Sequence, residues 1–206
     1  HRQPGLVNSS GESLNAKVTG NTVIRQGFHQ CQGCSSGHGG AGQRQRDFTD
    51  PACRTWWARQ AATLDEAGFS GLWVDLNEPS PFDLVHTLPH ATPHHWDGQG
   101  NTHVGGGHAV YGMQMARATR DGLVGLRPDR RPFVFSRAGY AGLQRFASSW
   151  NGDSRTTWAH LRMTIPQLLN LGLSGIAFTG SDAGGFQGRH SPELYLRWMQ
   201  LAALTP

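Results

Sequence analysis

The sequence predicts an α/β fold built on a parallel β-sheet. From Thr55 onward, strand-like apolar runs alternate with helical patterns, and repeated strand-then-helix units are typical of parallel sheets. An apolar strand over residues 71–74 also runs directly into Asp75 and is stopped at Pro79. A buried strand that ends in this way places an acidic side chain at the edge of a sheet. In α/β barrels, this edge carries the catalytic residues.

The first 46 residues do not show this alternation of strand and helix patterns. They are rich in Gly, Ser, Gln and Asn, with one candidate strand at Val18 to Ile24, and such a composition is typical of loop or disorder. We therefore divide the chain into a divergent, disordered or mistranslated segment over residues 1–46 and a folded domain over residues 47–206. Cys31 and Cys34 have the spacing of a zinc or redox pair, but no second pair follows, so no metal site is predicted there.

The elements of the folded domain follow one another along the chain. Trp57, Ala61, Leu64 and Gly68 fall on one helical face, and this helix ends at residues 67–68, just before the first strand. Residues 79–107, heavy in Pro, His and Gly, form an unusually long loop. The remaining elements are predicted as a helix over 110–124, a strand over 132–135, a helix over 158–171, a strand over 175–179 and a helix over 192–204.

Two acidic segments carry the candidate chemistry. Asp75 ends the first strand, and Asp153 follows Trp150 and Gly152 later in the chain. Glycoside hydrolysis typically uses a pair of carboxylates as its catalytic groups. Each acid also has a simpler interpretation, because Asp75 fits a strand-ending turn and Asp153, shortly ahead of Thr156, fits a helix N-cap.

Five ordered motifs resemble those of glycoside hydrolase family 31, the α-glucosidase and α-xylosidase family. They are Phe48-Thr49-Asp50-Pro51 with Trp56-Trp57, Trp73-Val74-Asp75-Leu76-Asn77-Glu78, Arg131 to Arg137, Trp150-Asn151-Gly152-Asp153, and Gly180 to Phe186. Several motifs in order are far more specific than any one of them. Since a full (β/α)8 TIM barrel needs about 250 residues, the resemblance implies an incomplete barrel with roughly strands 4 to 7 and their helices.

The resemblance also implies roles for individual residues. Asp75 would be the nucleophile and Asp153 the acid/base of a retaining double displacement. Glu78 is an alternative acid at the same strand end, and with Asp75 as the nucleophile it would orient its neighbours. The cation of Arg137 would favour the ionised Asp75, and a dry aromatic setting beside Trp150 would favour a protonated Asp153. The residues implied to bind the sugar are Trp73, Leu76, Arg137, Trp150, Asp182 and Phe186. Their alternative roles are ordinary core for the aromatic residues and a turn for Asp182, and Arg145 is expected to be structural.

The implied function is hydrolysis of terminal non-reducing α-linked glucosyl residues from oligosaccharides, without a cofactor. Transglycosylation and lyase chemistry share the same nucleophile in this family. The sequence does not choose among α-1,4-glucosides, α-1,6-glucosides, sucrose-like substrates and α-xylosides. The alternative function is that of a catalytically inactive, truncated carbohydrate-binding remnant. Because a partial barrel leaves sheet edges and apolar faces uncovered, we expect the isolated 206 residues to be poorly soluble or inactive.

Other classes of function are disfavoured by the composition. The net charge is +4, but the arginines are dispersed, whereas nucleic-acid binding needs a basic stripe. No apolar span approaches the about 20 residues of a transmembrane helix and no leader precedes the first motif, which favours a cytoplasmic location. Six histidines lie in or next to the long loop, and they predict a solvated segment and not a zinc site. They are His86, His90, His94, His95, His103 and His108. A structural role is expected for His108.

Overall fold

The computed structural model describes residues 46–66, 71–79 and 87–206. The candidate strand at Val18 to Ile24, the Cys31 and Cys34 pair, the end of the first helix at residues 67–68 and His86 lie outside the described residues. The described elements are α1 (Pro51–Glu66), β1 (Gly71–Val74), β2 (Pro93–His94), β3 (Asn101–Thr102), α2 (His108–Leu126), β4 (Phe133–Ser136), β5 (Ser148–Asn151), α3 (Trp158–Leu173), β6 (Thr179–Ser181) and α4 (Pro192–Ala202).

Among the described residues, the main sheet has four strands in the order β1, β4, β5, β6, and every neighbouring pair is parallel. The register places Val74, Ser136, Ser149 and Thr179 side by side across the sheet. The strand order therefore follows the chain order, as it does in a (β/α)8 barrel, and the carboxyl ends of all four strands meet at one rim. The predicted α/β fold and partial barrel are confirmed.

The main hydrophobic core lies between the sheet and the helices α1 and α2. Leu72 and Val74 of β1 and Val134 of β4 are buried on this face of the sheet. The two helices approach closely at Gly122, where an added Cβ would lie 2.4 Å from the carbonyl oxygen of Ala58. Other members of this core are Phe48, Cys53, Trp57, Ala61, Leu64, Tyr111, Met113, Met115, Ala116, Ala118, Leu123 and Leu143.

The opposite face of the sheet carries a row of aromatic side chains. Trp150 lies between Trp73, at a ring-centroid distance of 5.3 Å, and Phe135, at 4.8 Å. Trp73, Phe133 and Phe178 are 40%, 47% and 55% exposed. Because alternate residues of barrel strands point inward, this aromatic face is the one that lines the interior of a barrel.

The helices that follow the later strands begin at defined caps. Thr157 caps α3 by accepting the backbone N–H of His160, and Ser191 caps α4 by accepting that of Leu194. Large apolar side chains such as Leu169 on α3 are exposed, so the described part of the chain leaves apolar surface uncovered. None of the described helices is both long and apolar enough to cross a membrane.

Two element predictions need correction. The strand predicted over 175–179 is β6 at Thr179–Ser181, because Gly175, at φ +87°, is still part of the turn that ends α3, and the N–H of Ile176 bonds to the carbonyl of Leu171. The loop predicted over 79–107 contains the antiparallel pair β2 and β3. Its prediction as a solvated segment is wrong for His94 and His103, which are buried.

Candidate active site

Asp75 lies immediately after β1, at the carboxyl-end rim of the sheet. Its side chain is almost fully buried, and Oδ1 accepts the backbone N–H of Leu76 at 2.9 Å. The same oxygen lies 3.2 Å from Nε of Arg137, which follows β4. Asp75 therefore does end its strand, as the simpler interpretation has it, but its carboxylate also forms an ion pair with a residue of the neighbouring strand end.

Asn77 is a buried residue of the site that the sequence reasoning missed. Its Nδ2 donates to Oγ of Ser136 at 2.9 Å, and its Oδ1 accepts the N–H of Ala138 at 3.0 Å. A longer bond of 3.4 Å joins Nδ2 to the carbonyl of Gly112 on α2. Because every one of these partners lies on β4, just after it or on α2, Asn77 fixes the end of β1 relative to both. The only sequence signal was an amide between two carboxylates.

Arg137 is the cation at the centre of the site. Its Nε lies 2.6 Å from Oε1 of Glu78, and its Nη1 donates to Oδ2 of Asp153 at 2.8 Å. Burial alone would lower the pKa of Arg137, but the hydrogen bond with Glu78 and the charges of Glu78, Asp75 and Asp153 outweigh it and raise that pKa. One guanidinium thus contacts three carboxylates from the ends of β1 and β5.

Asp153 is not the N-cap of α3, because Thr157 holds that position. Its backbone is left-handed, with φ +61°, which is uncommon for a residue other than Gly. Its carboxylate contacts Arg137 and its side chain is 53% exposed, so the dry aromatic setting expected beside Trp150 is not what the structure has. The Trp150 ring lies instead against Gly152, where an added Cβ would be 3.0 Å from Nε1.

Asp182 lies in the loop after β6, and this loop is bonded to the loop that carries Asp153. The carbonyl of Ser154, next to Asp153, accepts the N–H groups of Phe186 and Gln187 at 2.7 and 3.1 Å. Burial raises the pKa of Asp182, as do the negative charges of Asp153 and Asp75, while the backbone N–H of Asp153 and the charge of Arg137 lower it less. The carbonyl of Asp182 also accepts the N–H of Gly185 at 3.0 Å, so the predicted turn role is present as well.

The remaining residues predicted to bind sugar have fewer contacts with the carboxylates and with Arg137. Trp73 and Trp150 pack edge to face on the aromatic face of the sheet. Leu76 is half-buried with φ +56°, next to Asp75. The Phe186 side chain is exposed, and only its backbone is anchored, through an N–H bond of 2.7 Å to the Ser154 carbonyl. Arg145 bonds to the carbonyl of Gly142 and stacks over Phe146, which fits a structural role.

A cleft of about 460 Å³ begins at Asp153 and runs along α3. Its lining includes Asn151 and Gln167, whose side chains bond to each other at 3.2 Å. Because Asn151 therefore points toward α3, the cleft lies on the helix-covered side of the sheet and not on the aromatic face. Within the described ranges, no three His, Cys, Asp or Glu side chains are placed to hold a metal ion.

A second polar cluster is buried beneath the β2 and β3 pair. Nδ1 of His94 lies 2.9 Å from Oδ1 of Asp47, and its Nε2 lies 3.2 Å from Nδ1 of His103. The His103 ring stacks on His108 at the start of α2, with centroids 5.0 Å apart. Burial lowers the pKa of His103 to about 4, helped by the charges of His108, His94 and His90. This cluster joins the residues before α1, the loop and α2, which gives His108 the structural role expected of it.

The fold and the site together define a class of protein. Parallel strands followed by helices, with carboxylates, an amide and an arginine at the carboxyl ends of the strands, form part of a (β/α)8 barrel with its candidate site at the rim where barrel enzymes carry their chemistry. The family model described as the TIM-barrel domain of glycosyl hydrolases family 31 matches residues 15–206. The chain therefore belongs to glycoside hydrolase family 31.

Individual relatives agree with this assignment. The chain is 44% identical over 160 residues to alpha-glucosidase 2 of Bacillus thermoamyloliquefaciens, covering 78% of this chain and 20% of that protein. It is 40% identical over 164 residues to human neutral alpha-glucosidase AB, covering 78% of this chain and 17% of that protein. The chain thus spans about a fifth of the length of these relatives.

Solved structures show the same likeness in three dimensions. A family 31 alpha-glucosidase from Bacteroides thetaiotaomicron superposes with a TM-score of 0.68 at 35% identity, covering 80% of this chain and 26% of that one. The family 31 dextranase of Flavobacterium johnsoniae, complexed with glucose, superposes with a TM-score of 0.70 at 32% identity, covering 80% of this chain and 21% of that one.

Proposed function

We propose that these residues form part of the active site of a retaining α-glucosidase, with Asp75 as the nucleophile and Asp153 as the acid/base. The observation that carries this proposal is the shared contact with Arg137, whose Nε lies 3.2 Å from Asp75 and whose Nη1 lies 2.8 Å from Asp153. A single guanidinium between the two groups keeps them close, and retaining glycosidases need carboxyl groups about 5 to 5.5 Å apart.

The first chemical step forms a covalent glycosyl-enzyme. A carboxylate oxygen of Asp75 attacks the anomeric carbon, the bond from that carbon to the glycosidic oxygen breaks, and the carboxyl of Asp153 gives its proton to the departing oxygen. Asp75 is suited to this role because it is buried and held at the strand end by the Leu76 N–H and Arg137. A fixed nucleophile loses little entropy on reaching the reacting geometry.

The second step releases the sugar. Asp153, now ionised, removes a proton from water as the water attacks the anomeric carbon, and the bond to Asp75 breaks. The half-exposed position of Asp153 suits this role, since water must reach it. Two inversions at the same carbon leave the product with the α configuration of the substrate.

The sugar itself would lie on the aromatic face next to Asp75. Trp73 and Trp150 offer flat apolar rings beside the carboxylates, and such rings pack on the apolar faces of pyranoses. The substrate would be an α-linked oligosaccharide or another α-glucoside, with Arg137 and Asp182 as bonding partners for its hydroxyls and Leu76 and Phe186 at the edges. The alpha-glucosidases among the relatives and the dextranase complexed with glucose support this class of substrate.

The proposal is tested by trapping the covalent intermediate. The protein encoded by the complete gene is incubated with 5-fluoro-α-glucosyl fluoride, and the digested protein is analysed by mass spectrometry. The fluorine at C5 slows both steps, while the good fluoride leaving group keeps the first step fast enough for the intermediate to accumulate. We expect one fluoroglucosyl adduct on the peptide that contains Asp75, and NMR of natural α-glucoside hydrolysis should show α-glucose as the first product.

Two variants serve as controls for this experiment. Asp75→Asn should give no adduct, whereas Asp121→Asn, which changes an exposed carboxylate on α2, should be labelled like the unmodified protein. An adduct on Glu78, or β-glucose as the first product, would show that the assignment of Asp75 is wrong.

A further inference from the structure

Asp153, the candidate acid/base, lies in a short link between two anchored points of the chain. On one side, β5 ends at Asn151, which pairs with β6. On the other side, the carbonyl of Ser154 accepts the N–H of Phe186 at 2.7 Å. The backbone of Asp153 has the left-handed φ of +61°, which a residue with a side chain seldom adopts. The direction of its carboxylate therefore depends on where the two anchors lie.

The second anchor is a set of backbone bonds to the loop after β6. The carbonyl of Ser154 accepts the N–H groups of Phe186 and Gln187, and the N–H of Thr156 donates to the carbonyl of Gln187 at 2.8 Å. Arg155 and Gln187 form a parallel β-bridge. We call these bonds the backbone clamp. It continues the pairing of β5 with β6 past the strand ends and holds the residues that follow Asp153.

Gly185 is the residue that lets the backbone clamp close. Its φ is +86°, and an added Cβ would lie 2.9 Å from both the N and the Cα of Thr156. Because these are backbone atoms, they cannot turn aside as a side chain can, so a larger residue would push the loop away from Thr156. Gly188 also has a positive φ, of +112°, but its added Cβ would lie 3.4 Å from the nearest atom, the Cβ of Thr156.

We propose that Gly185 is a positioning residue for Asp153: it lets the backbone clamp close and so fixes the point from which the Asp153 side chain reaches the departing oxygen. This inference rests on the proposed function. A residue that positions the acid matters when the leaving group needs a proton, whereas a residue that shapes the sugar pocket affects the rate for every glucoside.

The test compares leaving groups in the protein encoded by the complete gene. Values of kcat/KM are measured for 2,4-dinitrophenyl α-glucoside, whose phenolate departs without protonation, and for phenyl α-glucoside, whose phenolate needs a proton. We expect Gly185→Ala to lower kcat/KM for the phenyl substrate by about 100-fold, the usual cost of misplacing a reacting group by about 1 Å. The value for the dinitrophenyl substrate should change only a few-fold.

Gly188→Ala is the matched control, because it also places a side chain at a positive φ in the same loop. It should destabilise the protein through backbone strain but leave the ratio of the two kcat/KM values unchanged. An equal loss with both substrates in Gly185→Ala, or the same selective loss in Gly188→Ala, would overturn the proposal.

Gln187→Pro opens the backbone clamp in a second way. Proline has no N–H to donate to the Ser154 carbonyl, and the side chain of Gln187 is exposed, so this change removes a clamp bond without adding an atom at Gly185. It should also lower kcat/KM selectively for the phenyl substrate. It takes the place of Gly185→Ala in both measurements if that variant does not fold, and an equal loss with both substrates would again overturn the proposal.

The second measurement, hydrogen–deuterium exchange, does not depend on activity. The peptide that contains Thr156 should exchange slowly in the unmodified protein, because its N–H is bonded to Gln187. Exchange there should be faster in Gly185→Ala than in Gly188→Ala, with a peptide from α2 as the internal control. Equal exchange in the two variants would overturn the proposal. If the unmodified protein hydrolyses neither glucoside, the proposed function fails, while the exchange still decides whether Gly185 lets the backbone clamp close.

Discussion

Arg137 and Glu78 meet through two contacts, one of 2.6 Å between Nε and Oε1 and one of 3.4 Å between Nη2 and Oε2. The planar guanidinium therefore has a fixed orientation before any substrate arrives. In that orientation its remaining nitrogen, Nη1, faces Asp153. Glu78 thus acts on the candidate catalytic pair through the arginine between them.

Glu78→Gln should lower kcat/KM for α-glucosides by about 10- to 100-fold, because a hydrogen bond to a charged group contributes about 1.5 to 3 kcal/mol. The thermal midpoint should change little, since Glu78 is partly exposed. Steady-state kinetics of the complete protein measure the effect, with Glu193→Gln on the exposed side of α4 as the control. Unchanged kinetics would mean that Arg137 needs no orienting partner.

Gly122→Ala should destabilise the fold by about 1 to 3 kcal/mol, the usual cost of an overpacked contact. The added Cβ would overlap the backbone of Ala58 and force α1 and α2 apart. Gly125→Ala on the same helix is the control: no atom lies within 4 Å of its added Cβ, so it should stabilise the helix by up to about 1 kcal/mol. The midpoints of urea unfolding measure both effects, and equal midpoints would contradict the close helix contact.

The stability of the fold should fall as the pH is lowered from about 6.5 to about 4. The pKa of His103 is about 4 in the folded protein and ordinarily 6.5, so the unfolded chain binds more protons in this interval and stability rises with pH there. The full effect is on the order of 3 kcal/mol. Asp47, whose pKa is lowered by the bonds from His94, His95 and Thr49 against the effect of burial, adds a loss at still lower pH.

Urea unfolding at a series of pH values checks this dependence. His103→Gln should flatten it between pH 4 and 6.5, the range bounded by the two pKa values of His103. His90→Gln, at an exposed position, should leave most of the slope in place. A slope that is the same in all three proteins would exclude His103 as its source.

Thr119→Val should cost about 1 to 3 kcal/mol, because it leaves the buried Nε1–H of Trp57 without the acceptor that now lies 2.8 Å away. Combining it with Trp57→Phe should recover part of this loss, since the unpaired donor is then absent. A double-mutant cycle from urea unfolding gives the coupling energy. Strict additivity of the two single changes would show that the bond contributes nothing.

The hydrophobic pattern of the sequence predicted several elements correctly. The helix predicted over 110–124 is α2 at His108–Leu126, and the strand at residues 71–74 is β1. It failed at β6, because a glycine-containing turn and an apolar strand start share the same residue types. It also failed at His94 and His103, whose burial depends on Asp47, a partner distant along the chain.

The candidate site was also predicted in part and missed in part. The resemblance identified Asp75, Arg137 and Asp153, and the structure places Arg137 in contact with both carboxylates. The bonds that Asn77 makes to Ser136 and Ala138 could not be predicted, because they join one side chain to residues at the end of another strand. Contacts of this kind depend on tertiary register and leave no periodic pattern in the sequence.

The buried residue Asn77 stands between Asp75 and Pro79 in the chain. Its bonds to Ser136 and Ala138 fix the end of β1 before the chain continues past Pro79. The length and sequence of the chain after Pro79 can therefore change without changing the spacing of Asp75 and Arg137, so evolution can vary one without disturbing the other.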